Sequence, residues 1–492
     1  MPSPHPQLTA ALAALADAEP DYTEAREMYE GRVDEVFASE KLRHLFAASG
    51  RKLRVNYART PVDVLVERTS VQGITCSDNA QKTILDLAWF DNELGIEAKD
   101  VHRRAYEYGD AYLIAWPDED LPGKVSSYAH DPTDVRVFYD PQRPRVKSHA
   151  VHGWLEAADE DNGLRPGVWH RVEMYYPDRV EKWVSKTAVV SEGGLVRGLE
   201  VDDEYEPYEG DGDVDGIAEN PTPGVIPVFH FRTARPYGRP EHADAYGPQH
   251  GINKLVTSLF GVVDRNVLPQ RYVQVDDAEK QQFAQPTPDA LFEPDPDVPV
   301  TERTTSKREG GHDLGTDPGD VWVLRGTQRN GVGQFDGADP KTLTDPMLVL
   351  VQAMADVTDM PANRYHRGGQ SPAADSQRMD EAPLRSKTAD RHAQFGVTWR
   401  EWCAYVLLVN GVPTTDAQIA WAPPETYNDK SSWESAHLQL QAGVPYAQVL
   451  LERGYVADTV AEWETQLPGG VPPLLAAKPD VVQPAVEPAD QA

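Results

Sequence analysis

Three groups of residues have the types that chemistry requires, and their spacing limits what each could do. His230, His242 and His250, with Glu241 and Asp244 among them, could in principle hold a divalent metal. The histidines stand twelve and then eight residues apart. That spacing fits neither one helix face nor a hairpin, so no metal is expected there. Residues 200–220 hold ten acidic side chains and no Lys or Arg. Within them Asp211, Asp213, Asp215 and Gly216 match the first half of a calcium-binding EF-hand loop. The twelfth position should be a bidentate Glu but is Thr222, and Pro221 and Pro223 oppose an exiting helix. A solvated acidic loop is therefore expected, with weak calcium binding as the alternative. The third group is Arg364, Tyr365, His366 and Arg367, on a polar loop over residues 360–376 made flexible by Gly368–Gly369. It could be an ordinary surface loop. Its interest is that it joins two apolar helices, which would aim its tip.

The common enzyme signatures are missing from the sequence: there is no GxSxG, HExxH, GxxxxGK[ST] or CxxC. Carboxylate pairs occur throughout a chain with 79 acidic residues, so a glycosidase dyad cannot be singled out. Trp399 and Trp402 could form a sugar platform, yet they share an apolar helical stripe with Phe395, which favours packing. Residues 428–466 look like a helix–turn–helix but carry six acidic and two basic side chains. A DNA-reading helix needs the opposite balance, so helix packing is expected. No enzyme activity, cofactor or metal follows from any of these.

Composition narrows the classes. A chain of 492 residues, 40% apolar and 9% aromatic, is long enough for two to four domains and sizeable cores. Two cysteines, Cys76 and Cys403, leave no disulfide framework or Cys-based zinc site and suit a reducing compartment. The longest apolar runs are far too short for a membrane span, so no membrane association is expected. No Lys or Arg precedes Arg26, so a secretory signal is not expected either. The charge is the sharpest constraint: 47 basic against 79 acidic residues give a net −32. Tight phosphate binding needs clustered cations. Nucleic acid is thus either irrelevant or must pass close by without sticking.

The elements that would position these residues show helical and then strand periodicity. Residues 8–18 and 22–36 read as helical, as do 61–72, 79–90 and 96–108, the last with Gly109 at the C′ position. Short aromatic and β-branched runs follow at 110–116, 135–139, 151–155, 169–176, 180–184 and 224–231, which read as antiparallel strands. Residues 249–266 form an apolar helical stripe through Ile252, Leu255, Val256, Leu259, Phe260 and Val263. A second stripe runs through Leu343, Met347, Leu350, Val351, Met354 and Val357, with Asp345 and Pro346 as N-cap and first helical residue. A third, aromatic stripe comprises Phe395, Trp399, Trp402, Cys403, Val406 and Leu407. The insert at 268–337 is too long for a plain connection, so a projecting subdomain is expected. From 467 onward the chain is Pro-rich with little to bury, and disorder is expected.

The order of short motifs resembles the portal proteins of tailed double-stranded DNA phages, in particular the large siphophage family. The motifs are Tyr108–Tyr112 (YGDAY), Asp131–Pro132, Asn253–Lys254 with Asp264–Arg271 (DRNVLPQR), and Thr358–Pro361 (TDMP). Glu381–Leu384 (EAPL) with Lys387, Ser432–Ala436 and Gln441–Pro445 (QAGVP) complete them. Together they span about residues 20–466. The Ser-Pro-Ala-Ala run after Gln370 departs from the Ser-Gly-Glu usual there.

The resemblance implies an α+β portal fold with a helical stem and crown, an α/β wing and a small β-containing clip. Residues 1–245 and the long helix 377–410 would be the wing, and 246–267 and 338–358 the stem helices. Ile252, Leu255, Leu259, Phe260, Met347, Leu350, Val351 and Met354 would pack the stem. Residues 268–337 would be the clip, 359–376 a tunnel loop with Arg364, Tyr365, His366 and Arg367 facing DNA, and 411–466 the crown. It further implies a homo-oligomeric ring of about twelve subunits at one capsid vertex, assembled in the host cytoplasm. Its partners would be the terminase large subunit, a head–tail adaptor, the major capsid and scaffolding proteins, and double-stranded DNA in transit. The competing readings are a multidomain polysaccharide hydrolase using a carboxylate pair, and another virion structural protein such as a minor capsid component.

Overall fold

The computed structural model describes residues 6–32, 55–118, 121–157, 167–187, 205–208, 215–267, 271–275, 321–325, 331–337, 339–365, 379–412, 416–423 and 429–452, with parts of 455–465. The chain is α+β. Its described residues fall into two compact units, one drawn from 1–33, 56–249 and 352–492, the other from 34–55 and 250–351.

The first unit is layered. Strands β4 (Val135–Asp140), β5 (Arg143–Ala157), β6 (Val168–Tyr175), β7 (Arg179–Ser185) and β8 (Tyr205–Pro207) form an antiparallel sheet in sequence order, with β9 (Ile217–Glu219) also on β7. A smaller sheet has the order β10 (Val228–Arg232), β2 (Asp110–Pro117), β3 (Val125–His130). Side-chain alternation explains how the sheets stack. On β5, Ala150 faces inward with Val135, Val137 and Tyr175, and meets Tyr112, Ile114 and Val228 of the smaller sheet. Its neighbour Val151 points the other way and, with Val172 and Met174, meets Leu8, Ala11, Leu12 and Leu15. Those four lie on helix α1 (Pro6–Glu30), whose second half packs Tyr22 and Ala25 on Tyr108. The remaining face of the smaller sheet, with Ala111, Leu113, Phe229 and Phe231, is closed by α4 (Leu94–Tyr108) and α7 (Ala382–Val409).

Helix α7 carries the aromatic stripe. Phe395, Trp399, Trp402, Cys403, Val406 and Leu407 are all 0% exposed. Burying each such side chain contributes about 1.5–3 kcal/mol. Trp399 donates through Nε1 to His102 Nε2 at 3.0 Å, and Trp402 donates to Ser127 Oγ at 3.0 Å. Trp89, on α3 (Asn79–Asp91), packs its ring against both indoles. Packing, not a sugar platform, is the role of these tryptophans. At the end of α4, Gly109 has φ 91°, and a Cβ there would stand 2.5 Å from Arg239 N. Only glycine lets the 238–239 backbone cross so close to the helix end.

Several sequence expectations change. The two helical pieces expected over 8–18 and 22–36 are one through residue 30: α1 runs unbroken through Pro20 and stops before Gly31, φ 70°, and residues 33–36 lie outside the described residues. The helix expected over 61–72 is α2 (Thr60–Arg68). It ends where the Thr69 hydroxyl donates to Leu65 O, and β1 (Val71–Thr75) then pairs with β14 (Gln418–Trp421). The Asp345–Pro346 start is also displaced: helix α6 (Lys341–Val357) takes Pro346 inside. Asp339 Oδ1 accepts from Lys341 N at 2.9 Å, and Pro340 opens the turn, so the same Asp-Pro device acts six residues earlier. Strand β3 had no sequence signal because its inward Ser127 is polar, placed to accept the Trp402 indole.

In the second unit, residues 250–267 continue α5 (Tyr246–Val267), and β11 (Arg271–Val275) pairs in parallel with β12 (Val321–Arg325) and antiparallel with β13 (Gly331–Gln334). Gly251 lets α5 approach α6: a Cβ there would lie 2.8 Å from Leu350 Cδ1. Residues 276–320 and the tail at 467–492 lie outside the described residues. In the first unit, helices α8 (Asp429–Gln441) and α9 (Tyr446–Glu452) pack on one another, separated by Gly443, φ 91°.

Burial pulls His102 and His152 down to about 3 and His170 and His242 to about 4, and it lowers His230 too. These rings are neutral in the fold but take protons below about 6.5 when unfolded, so their stabilising contribution is lost as pH falls. For His102 alone the loss at pH 5 is on the order of 2 kcal/mol. Burial raises Glu107 (to about 7) and Asp134, which opposes the trend, although Arg103 at 2.7 Å favours ionised Glu107. The expected result is a melting temperature that falls steeply between pH 6.5 and 4.5. A flat profile measured by circular dichroism would contradict this account.

Candidate functional site

The polar loop begins at the end of α6. Thr358 Oγ1 donates to Met354 O at 2.7 Å, Asp359 turns left-handed at φ 58°, and Met360 N donates to Ala355 O at 3.0 Å. These bonds satisfy carbonyls that a helix end leaves open. Met360 and Pro361 are buried, and a short 3-10 turn, Ala362–Arg364, follows. Tyr365 is 5% exposed; its hydroxyl meets Thr358 Oγ1 at 2.9 Å and its ring meets Tyr57 edge-on. Burial pushes its phenol up to about 12.

The loop's far end is anchored equally. Glu381 precedes α7, with Pro383 in the first turn, and accepts from Arg68 Nη2 at 3.2 Å. One turn on, Lys387 reaches back to Thr358 O at 3.4 Å and ion-pairs with Glu241 at 2.9 Å. Arg391 holds the other Glu241 oxygen at 2.5 Å and donates to Thr233 O at 2.9 Å. Glu241 is 7% exposed, so two cations neutralise a carboxylate withdrawn from water. The Thr358–Pro361 and Glu381–Leu384 motifs, with Lys387, thus form the base of one loop. Sequence reasoning did not find this clamp, whose carboxylate lies over 100 residues from its cations.

The four loop residues have different places. Tyr365 packs inward, so the expectation that its ring faces DNA does not fit; it anchors the loop. Arg364 is part-buried and lies 3.4 Å from Glu67, a weak exposed pair. His366 and Arg367 lie outside the described residues. Of the eight stem residues, Ile252, Val351 and Met354 are buried, Leu255, Leu259, Met347 and Leu350 half-buried, and Phe260 36% exposed. Leu348 and Val349, 46% and 67% exposed, make α6 apolar on more than one side.

The other candidates resolve into structural roles. His230 lies between Asp110 Oδ1 and Tyr139 Oη, each 2.8 Å away, and His242 Nε2 donates to Ala25 O at 3.0 Å. Among the described residues no group of His, Cys, Asp or Glu could hold a metal ion. Asp110 also accepts from Tyr22 and Gly238 N, beside a cavity of about 340 Å³ lined by Tyr108, Arg136, Tyr237 and Tyr246. This network ties α1 to the smaller sheet. Asp211 and Asp213 lie outside the described residues. Thr222, the twelfth position of the calcium pattern, is buried and donates to Asn220 Oδ1 at 3.3 Å. No described helix is long and apolar enough to cross a membrane.

Part of the chain resembles a known family. Residues 13–219, from α1 to β9, match the family model described as phage portal protein, SPP1 Gp6-like. This match shows the likeness to tailed-phage portal proteins, a structural and non-enzymatic family, that the order of motifs suggests. Among solved structures, a chain of the "Virion of native gene transfer agent (GTA) particle" is similar at 12% identity and a TM-score of 0.40, over 82% of this chain and 95% of that one. No curated protein matches.

The clamp makes a prediction. Arg391→Met or Lys387→Met leaves Glu241 buried with one cation, at an expected cost of about 3–5 kcal/mol. Replacing Glu241 by Gln in the Lys387→Met background should recover part of it. Urea denaturation measures both, and a loss below about 1 kcal/mol would refute a buried clamp.

Proposed function

We propose that this chain is the subunit of a portal ring of about twelve copies at one capsid vertex, conducting double-stranded DNA during packaging and ejection. The portal-family match over residues 13–219 carries this reading. In it, the first unit supplies the wing and crown, α5 and α6 the stem, 268–337 the clip, and 359–376 the tunnel loop. The clip would dock the terminase large subunit and later the head–tail adaptor. The major capsid and scaffolding proteins would hold the ring in the virion, after assembly in the host cytoplasm.

Two features of the chain support it. Helix α6 is apolar on more than one side, as suits a helix buried in a larger assembly. A net charge of −32 per subunit suits a conduit, because each neutralised phosphate adds affinity and therefore drag. The loop, clamped at its base by Glu241, Lys387 and Arg391, would present Arg364 and Arg367 as a few cations, with His366 beside them, able to touch passing phosphates without holding them.

Light scattering with negative-stain imaging tests the ring. Twelve chains of 54.5 kDa give about 650 kDa with a central hole; a stable monomer at all concentrations would sink the proposal. Changing Arg364, His366 and Arg367 together to Ala, with Tyr365 kept, should leave the ring intact but lower the DNA retained per particle. Unchanged packaging and retention would remove the loop from the DNA path.

A further inference from the structure

We infer that two surface patches of the first unit form the head-to-tail joint between neighbouring copies of this chain: the α3–α4 corner of one docks on the β4–β5 hairpin of the next. The inference rests on the ring proposed above and specifies its contact.

The corner is an exposed apolar patch. Phe90 is 81% exposed, Ile96 72% and Leu87 59%. Leu87 and Phe90 are one turn apart on α3, and the backbone bonds Glu93 N to Phe90 O and Ile96 N to Glu93 O bring Ile96 beside them. Residues 86–97 also hold four acidic side chains, Asp86, Asp91, Glu93 and Glu97, and no Lys or Arg. Large apolar groups inside a charged rim mark an interaction surface.

The hairpin has the opposite charge. Residues 140–147 (DPQRPRVK) contain Arg143, Arg145 and Lys147 against one acid, Asp140, within a chain of net −32. Asp140 lies 2.9 Å from Arg143 and Glu401 lies 2.8 Å from Lys147, so Arg145 is the hairpin cation with no ion pair among the described residues. Arg143 and Arg145 are exposed, and Val146, 43% exposed, lies between the second arginine and Lys147. The partner this patch fits is apolar and acidic, which describes the corner.

The fold sets the two patches apart in the way a ring requires. The corner sits at the β3 edge of the smaller sheet, where Asn92 Nδ2 donates to Val125 O at 2.8 Å and Asn92 Oδ1 accepts from Ser127 N at 2.6 Å. The hairpin base sits at the opposite, β10 edge, where Lys147 Nζ donates to Val228 O at 2.9 Å. Complementary patches on opposite edges make a heterologous contact, the kind that closes into a ring when the rotation between neighbours divides a full turn. One molecule cannot satisfy both patches itself.

Charge exchange tests this. Arg143→Glu with Arg145→Glu, and separately Asp91→Lys with Glu93→Lys, should each lower the ring fraction at least tenfold in light scattering, with unchanged circular dichroism. An equimolar mixture of the two variants should regain rings, since each then meets its opposite, and so should the chain carrying all four changes. Native rings from the hairpin variant, or loss that neither the mixture nor the fourfold variant restores, would overturn the joint while leaving the ring proposal standing. Absence of rings from the unmodified chain would instead overturn the ring proposal, and the joint with it.

Discussion

One neutral imidazole fixes the relation between the parts of the first unit. His102 Nδ1 lies 3.0 Å from Thr69 O, and its Nε2 accepts from Trp399 Nε1 at 3.0 Å. A carbonyl only accepts and an indole only donates, so the tautomer is forced: the proton is on Nδ1. The ring also stacks on Phe395, with centroids 4.9 Å apart. Residues 69, 102 and 399 come from the end of α2, the middle of α4 and the middle of α7. Neither charging the ring nor turning it is tolerated, because burial penalises the charge and either change orphans a buried partner.

With Trp399 fixed, α7 acts as a ruler. Its 3.6-residue period carries Trp402 to Ser127 on β3, while Thr398 Oγ1 donates to His230 O on β10 at 3.0 Å. Two turns back from Trp399, the same helix delivers Arg391 and then Lys387 to Glu241. The loop base is therefore positioned by the same aromatic packing that closes the smaller sheet. The ionic cluster there adds little net stability by itself, since desolvation offsets much of its Coulomb gain. What it supplies is register: Lys387 meets Thr358 O only when α7 is seated by its tryptophans. This connects core packing to the direction in which the loop leaves the fold.

The parts legible in the sequence were those whose signal is local. The stripe from Phe395 to Leu407, the Gly109 stop and the strands β2 and β4 to β7 each follow from local signals in a short window. Strand β1 was read as the tail of a helix because Val71 and Gln72 continue its pattern; only pairing with residues 418–421 makes it a strand. Asp345–Pro346 misled because Asp339–Pro340 offers the same cap, and α6 gains five residues, 341–345, by beginning there. The clamp had no local signal, since Glu241 was weighed as a metal ligand beside His230, His242 and His250, and its cations Lys387 and Arg391 lie far along the chain. Tyr365 looked like a loop aromatic, and its burial depends on Tyr57 and Thr358, which the sequence does not place beside it.

Charge and assembly act against each other in a ring of such chains. A net −32 on every copy repels its neighbours, and the repulsion extends over a Debye length of about 8 Å at physiological salt. A joint can overcome it only by concentrating apolar area and local positive charge where subunits touch, leaving acidic surface elsewhere. In the proposed joint, the hairpin at 141–147 and the exposed side chains of Phe90 and Ile96 would be that concentration. The same reasoning covers the channel: a wall that must neither grip phosphate nor leave DNA unguided needs a negative background with few, spaced cations. Both demands favour an acidic chain whose rare basic residues are held at chosen places, by strand pairing at the hairpin and by the Glu241 clamp at the loop.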